Sequence, residues 1–159
     1  LRARNLGDSR REVCASEAYL IKNGTPQHPS ELTEHQCLTF REHPGFNTWV
    51  FREKRKGKKK SQEPAQDLIK VKVTGNFFAR SSDGIVAACL AGMGLILMPD
   101  WNMGIELQQK KLRVVLSDYE LAPATTPIWA LHTHQRQVPP KVRAFIDFMA
   151  DHFAGAQYS

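Results

Sequence analysis

No apolar run in this sequence approaches the ~20 residues that a helix needs to cross a bilayer. The opening residues, Leu1-Arg2-Ala3-Arg4-Asn5, hold no apolar core of a secretory signal and no initiator methionine, so the start reads as a cut inside a longer chain. Cysteine is scarce. The three present, Cys14, Cys37 and Cys89, are an odd number, form no Cys-x-x-Cys pair and each sits in an apolar stretch. That pattern argues against a disulfide framework or a zinc site and for a reducing cytoplasm. Gly-x-Ser-x-Gly, a phosphate loop and His-Glu-x-x-His are all missing. His132 and His134 share one strand face without a third ligand, so no metal is expected. Asp83 and Asp100 flank a predicted helix without a matching acid or nucleophile. No catalytic residue, no cofactor and no enzymatic activity are expected.

The charge is unevenly placed. The net charge is +6, and Arg52 to Lys60 alone carries seven basic residues against Glu53. Of 22 basic and 16 acidic residues, 15 of each remain outside that stretch, which is neutral. The basicity is one loop. A groove for nucleic acid spreads its charge over several elements and interleaves aromatics. Trp49 and Phe51 precede the loop at a spacing that buries them on one side of a strand. The loop has two readings, a solvated hairpin tip or a contact to nucleic acid or another acidic partner.

The residues from Leu68 to Pro99 carry the strongest pattern. Ile69, Val71 and Val73 alternate with Lys70, Lys72 and Thr74, the period of a strand with one buried face. Gly75-Asn76 breaks the run. Ser81, Ser82 and Asp83 offer side-chain oxygens to the free N–H groups of a helix start. Ile85, Val86, Cys89, Leu90 and Met93 follow at helical spacing, and Gly92 and Gly94 end the helix. Leu95-Ile96-Leu97-Met98 reads as a strand buried on both faces, stopped by Pro99. The expected unit is strand, helix, strand, with a right-handed crossover. The helix start at Ser81 is either a simple cap or an anion site that uses free N–H groups and the helix dipole.

The flanks give weaker signals. Glu12 to Ser16 is a short strand candidate, with Tyr19-Leu20-Ile21 continuing apolar to the turn at Asn23-Gly24-Thr25-Pro26. Pro29 to Leu32 starts a helical turn with Ser30 as its cap. Gln36 to Phe40 and Thr48 to Phe51 read as strands, and Arg52 to Gln66 as the least ordered stretch. Trp101 to Gln109 is a short amphipathic helix, Leu112 to Leu116 a strand, Asp118 to Pro127 a loop, and Ile128 to Leu131 a buried strand. Pro139-Pro140 opens a last helix whose apolar stripe is Val142, Phe145, Ile146, Met149 and Phe153, closed by Gly155.

Taken together, these pieces resemble the effector-binding domain of LysR-type transcriptional regulators. Ala87 to Pro99 looks like that family's Ala-Gly-x-Gly-Ile…Pro segment. Val13-Cys14-Ala15-Ser16-Glu17-Ala18-Tyr19-Leu20, followed by Gly24-x-Pro26, is similar to its Ala-Ser-Pro-x-Tyr-Leu…Gly-x-Pro stretch, with Glu17 standing where many relatives have proline. Leu32…His35-x-Cys37-Leu38, Trp49-x-Phe51 and the final helix from Pro139 to Phe148 fit in order, while the loop from Arg52 to Gln66 is longer and more basic than is usual.

The resemblance implies an α/β fold, one lobe of the periplasmic-binding-protein type II, with a mixed five-stranded sheet flanked by helices. It implies that 1–29 is the end of a first lobe and the first crossover, 30–127 the second lobe, and 128–159 the return crossover and last helix of the first lobe. A small organic effector, often an anion, would bind between the lobes. Its contacts would be Ser81 and Ser82 as donors, Arg80 as a charge partner and Phe78 as an apolar wall, with Asp100 and Ser16 nearby. DNA would be bound only through a missing N-terminal domain, and the chain would work as an oligomer, a dimer of this domain within a tetramer, with no membrane partner. Two further readings are an extracytoplasmic solute-binding protein of the same fold and a nucleic-acid-binding module built on residues 52–60.

Overall fold

The spine of the molecule is a strand three times longer than its apolar core suggests. In the computed structural model, which describes residues 2–40, 47–54, 68–132 and 139–155, β1 runs from Arg2 to Ser16, 15 residues. Its first part pairs antiparallel with β9 (Thr125–His132), from Arg2↔His132 to Arg10↔Thr125. Its second part pairs antiparallel with β6 (Leu95–Pro99) on one side and β7 (Leu112–Val115) on the other. Only the second part was legible as a strand. Arg2 to Arg11 carries a charge at nearly every other position, and just Leu6 and Ser9 are buried there.

The main sheet follows the path β5-β2-β6-β1-β7, with β9 attached to β1 off that path. The sheet thus has six strands, and the path without β9 has the expected five. β2 (Cys37–Phe40) pairs parallel with β6 on one side and with the two-residue β5 (Phe78–Ala79) on the other. Here the expected unit needs correction. The strand leading into the helix is β5. The alternating run from Ile69 is β4 (Ile69–Lys72), which belongs to a separate antiparallel sheet, β4-β3-β8, with β3 (Thr48–Glu53) and β8 (Tyr119–Leu121).

Gly75 is where the chain changes sheets. The Cys37 N–H donates to the Thr74 carbonyl at 2.9 Å. A Cβ at Gly75 would lie 2.2 Å from the Cys37 carbonyl oxygen. Only glycine lets one backbone cross another this closely, so the expected break marks a transfer between sheets.

The main sheet is buried on both faces. Val13, Ala15, Leu95 and Val115 pack on Trp49, Phe51, Val71 and Leu121 of the small sheet. On the opposite face, Cys14, Ile96, Met98 and Leu112 pack on Ile85, Val86 and Cys89 of α2 (Ser82–Leu90). Each such aliphatic side chain, fully removed from water, stabilises the fold by about 1.5–3 kcal/mol before conformational entropy is charged against it. All three cysteines are free and buried, and burial pushes Cys37 and Cys89 up to about 12 and Cys14 higher still, so none is a ready thiolate.

Other expectations shift in detail. Glu17–Asn23 forms a helix, α1, where the sequence shows only a continuing apolar run; Ser16 precedes it and Gly24 follows with φ +84°. The turn Pro29–Glu34 is a 3-10 helix capped by His28 rather than Ser30. The His28 ring accepts from the Ser30 N–H at 3.2 Å, and Glu31 accepts from the His28 N–H at 3.1 Å. The helix expected from Trp101 divides into a 3-10 turn, Asp100–Asn102, and α3 (Gly104–Gln108). β8 lies inside the expected loop.

β9 is not a buried strand. Trp129 and Leu131 are 51% and 66% exposed. The last helix, α4 (Pro140–Gly155), packs against β1, with Arg4 and Asp147 forming an ion pair and Phe153 Cβ against Gly7. From its predicted stripe Ile146 is buried, while Phe145 is exposed together with Phe148. The far end of the basic loop, 55–60, and His134 lie outside the described residues.

Candidate functional site

Three parallel strands, β5, β2 and β6, end at one edge of the main sheet, at Ala79, Phe40 and Pro99. In an open α/β sheet the carboxyl edge is where ligands sit, because loops and helix starts converge there. α2 starts at this edge. Ser81 holds an extended conformation, φ −105° and ψ 132°, and its Oγ accepts from the Gly84 N–H at 3.5 Å. Ser82 and Asp83 stand in the first turn, where free N–H groups and the positive end of the helix dipole face outward. Phe78, 52% exposed, and the exposed Arg80 lie on the segment that leads in.

Asp100 follows Pro99 at the same edge and is 5% exposed. Ser9 Oγ donates to Asp100 Oδ1 at 2.5 Å, so the carboxylate is held by a residue of β1. Phe78, Arg80, Ser81, Ser82 and Asp100 therefore share one edge.

Ser16 does not join them. It pairs with Leu112 at the far end of β1, whereas Arg11 pairs with Pro99 at the edge. Its Oγ is buried without a hydrogen-bond partner, and a Cβ placed on Gly92, beyond the C-terminal end of α2, would lie 3.8 Å from it. Nine helical residues, ~13 Å at 1.5 Å each, separate that end of α2 from Ser81.

Two residues at this edge carry no signal in the sequence. Ser9 lies in a charged, mostly exposed stretch without an alternating pattern, and its partner is 91 positions away. Glu12 is half-buried on β1. Burial pushes its carboxyl up, Lys54 and Arg10 pull it back, and Asp100 adds to the rise. Among the described residues no three His, Cys, Asp or Glu side chains are placed to hold a metal ion, and no helix is long and apolar enough to cross a membrane.

A doubly covered mixed sheet, with a helix N-terminus at its carboxyl edge and an antiparallel pair, β1 and β9, running out of it, defines one lobe of a periplasmic-binding-protein type II domain. The chain belongs to the LysR substrate binding domain family, whose model matches residues 1–154. Over 151 residues it is 34% identical to the HTH-type transcriptional regulator CrgA of Neisseria meningitidis serogroup B, covering 95% of this chain and 46% of CrgA. Over 154 residues it is 29% identical to the HTH-type transcriptional regulator DmlR of Escherichia coli, covering 96% of this chain and 45% of DmlR. The chain thus spans a little under half the length of these curated relatives.

Solved structures agree. The regulatory domain of CrgA, a LysR-type transcriptional regulator from Neisseria meningitidis, superposes with a TM-score of 0.73 at 32% identity, covering 96% of this chain and 69% of that one. The regulatory domain of AphB from Vibrio vulnificus superposes with a TM-score of 0.72 at 26% identity, covering 96% and 69%. The relatives are bacterial transcriptional regulators.

Proposed function

We propose that this domain senses a small organic anion at the edge formed by Phe78, Arg80, Ser81, Ser82 and Asp100, and that binding controls how the full-length regulator engages DNA. The observation that carries the reading is the start of α2. Its free N–H groups and its Ser81 cap lie at the carboxyl ends of three parallel strands, with Arg80 the residue just before the cap. Such a helix end favours negative charge, and a guanidinium adds a directional partner for a carboxylate. Ser16 belongs to the far end of α2 and takes no part.

Family membership supports the remaining assignments. In this reading residues 30–127 form the second lobe, with Arg11–Ser16 of β1 running through its sheet, and the rest of 1–29 and 128–159 form the crossovers and parts of the first lobe. Trp129 and Leu131 on β9 and Phe145 and Phe148 on α4 expose more apolar surface than a finished lobe needs, and the rest of the first lobe covers it. The effector lies between the lobes and acts through its differential affinity for two arrangements of the regulator. DNA is bound by a separate N-terminal domain, the protein works in the cytoplasm, and this domain dimerises within a tetramer.

The test uses the intact regulator. Phe78→Ala, Arg80→Ala and Ser81→Ala are each expected to leave ligand-free DNA binding unchanged and to raise the effector concentration for half-response at least tenfold. An unaltered response in all three would remove this edge from the site.

A further inference from the structure

A cavity lies between the main sheet and the small sheet, close to where β1 leaves β6, and has a volume of about 240 Å³. Its floor is apolar, formed by Val13, Phe51, Val115, Leu116 and Leu121, all of them buried. Its rim is charged, with Arg10, Glu12 and Lys54 joined by Arg11 and Glu120. Glu120 lies 3.7 Å from Arg52, and Arg11 Nη1 donates to the neutral Pro123 carbonyl at 3.4 Å, which leaves its charge in place. Arg10 and Lys54 both attract the Glu12 carboxylate, and the rim sets three basic side chains against two acidic ones.

Among the described residues the rim thus holds one surplus positive charge above a dry floor. Apolar walls with a few placed charges are the usual make-up of a small-molecule site. A ligand without a negative charge would leave the surplus cation unanswered, and one without an apolar body would match only the charged rim. The volume admits a body of roughly one ring or a short chain.

We propose that this cavity is a second ligand site, taking a small aryl or alkyl monocarboxylate with its carboxylate at Lys54 and Arg10 and its hydrocarbon on Phe51 and Leu121. It shares no lining residue with the edge at Phe78 to Ser82, so the two sites stand or fall separately. Its position beside β1, the strand that also pairs with β9, places a bound ligand against the crossover.

The experiment is an NMR titration of the intact regulator, with methyl groups of Val, Leu and Ile labelled, using benzoate and hexanoate as probes and benzyl alcohol as the uncharged control. Saturable shifts at Val13, Val115 and Leu121 with both carboxylates are expected, with at least tenfold weaker binding of benzyl alcohol. Lys54→Glu, an exposed substitution that leaves the core intact, is expected to weaken benzoate at least tenfold, and Glu12→Gln to tighten it. Equal binding of benzyl alcohol, or benzoate affinity unchanged in Lys54→Glu, would overturn the proposal. Shifts confined to Ile85 and Val86 of α2 would overturn it too, while leaving the reading of the α2 edge in place.

Discussion

Ser9 and Asp100 are joined by a 2.5 Å hydrogen bond although 91 positions separate them. Ser9 belongs to the part of β1 that pairs with β9, and Asp100 to the turn after β6. The contact ties the β9-paired part of β1 to the carboxyl edge of the sheet. Any movement of β1 relative to that edge must stretch or break it.

Removing the donor leaves a buried carboxylate oxygen without a partner, at a cost of about 1–3 kcal/mol. Ser9→Ala is therefore expected to lower the stability of the domain by that amount in urea titrations, with an unchanged m-value. A loss below about 0.5 kcal/mol would show that water or another group satisfies Asp100 equally well.

Glycine substitutions separate backbone crossings from simple turns. Gly75→Ala forces a Cβ to 2.2 Å from the Cys37 carbonyl oxygen, and overpacking of this kind costs about 1–3 kcal/mol or more. Gly84→Ala, in the first turn of α2, meets Ala79 Cβ at 3.6 Å and Ser81 Cβ at 3.9 Å, both ordinary contacts, and gains up to about 1 kcal/mol from helix propensity. Thermal melts of the two variants should move in opposite directions.

The first of these crossings shows what pattern reading reaches. Alternation identified β4, the Ser81 cap identified α2, and four apolar residues in a row identified β6, because each signal depends on neighbours in the chain. The sheet to which β4 belongs does not depend on neighbours. It follows from Trp49 and Phe51 of β3 pairing with Val71 and Ile69, and from the crossing at Gly75. The length of β1 is hidden because its first ten residues pair with only one strand and, Leu6 and Ser9 apart, are not buried. The carboxyl-edge location of Phe78 to Ser82 was readable from the helix start, whereas Ser9 and Glu12 reach the site through pairings between distant segments.

Tyr19 and His35 predict a pH response. Tyr19 Oη accepts from the Gln36 N–H at 3.0 Å and is hydrogen-bonded to His35 Nδ1 at 3.0 Å. Burial pushes the His35 imidazole down, against the upward pull of Glu31 and Glu34. A depressed folded-state value means that the unfolded chain takes up the proton first. Stability from this pair is complete above about pH 6.5 and is lost as pH falls below it. In denaturation curves at pH 7.5 and 5.5, His35→Gln is expected to show a smaller drop than the parent. An identical drop would place the pH dependence elsewhere.

Glu12 works in the opposite sense. Burial raises its carboxyl, so its ionised form is favoured less in the folded state than in the unfolded chain. Its contribution is complete below the ordinary carboxylate value of about 4.3 and is lost as pH rises through the elevated folded one. Glu12→Gln is expected to be more stable than the parent at pH 7, with the gap closing toward pH 4. A gap that persists at pH 4 would mean that the substitution acts through packing.

The central claim is that effector binding is felt at the start of α2. Amide hydrogen exchange of the intact regulator, with and without a carboxylate that alters its DNA binding, tests this directly. The account predicts slower exchange across Phe78 to Val86, and slower still at Ser82 to Gly84, whose N–H groups start the helix. A carboxylate that changes DNA binding while leaving exchange in that segment untouched would contradict it.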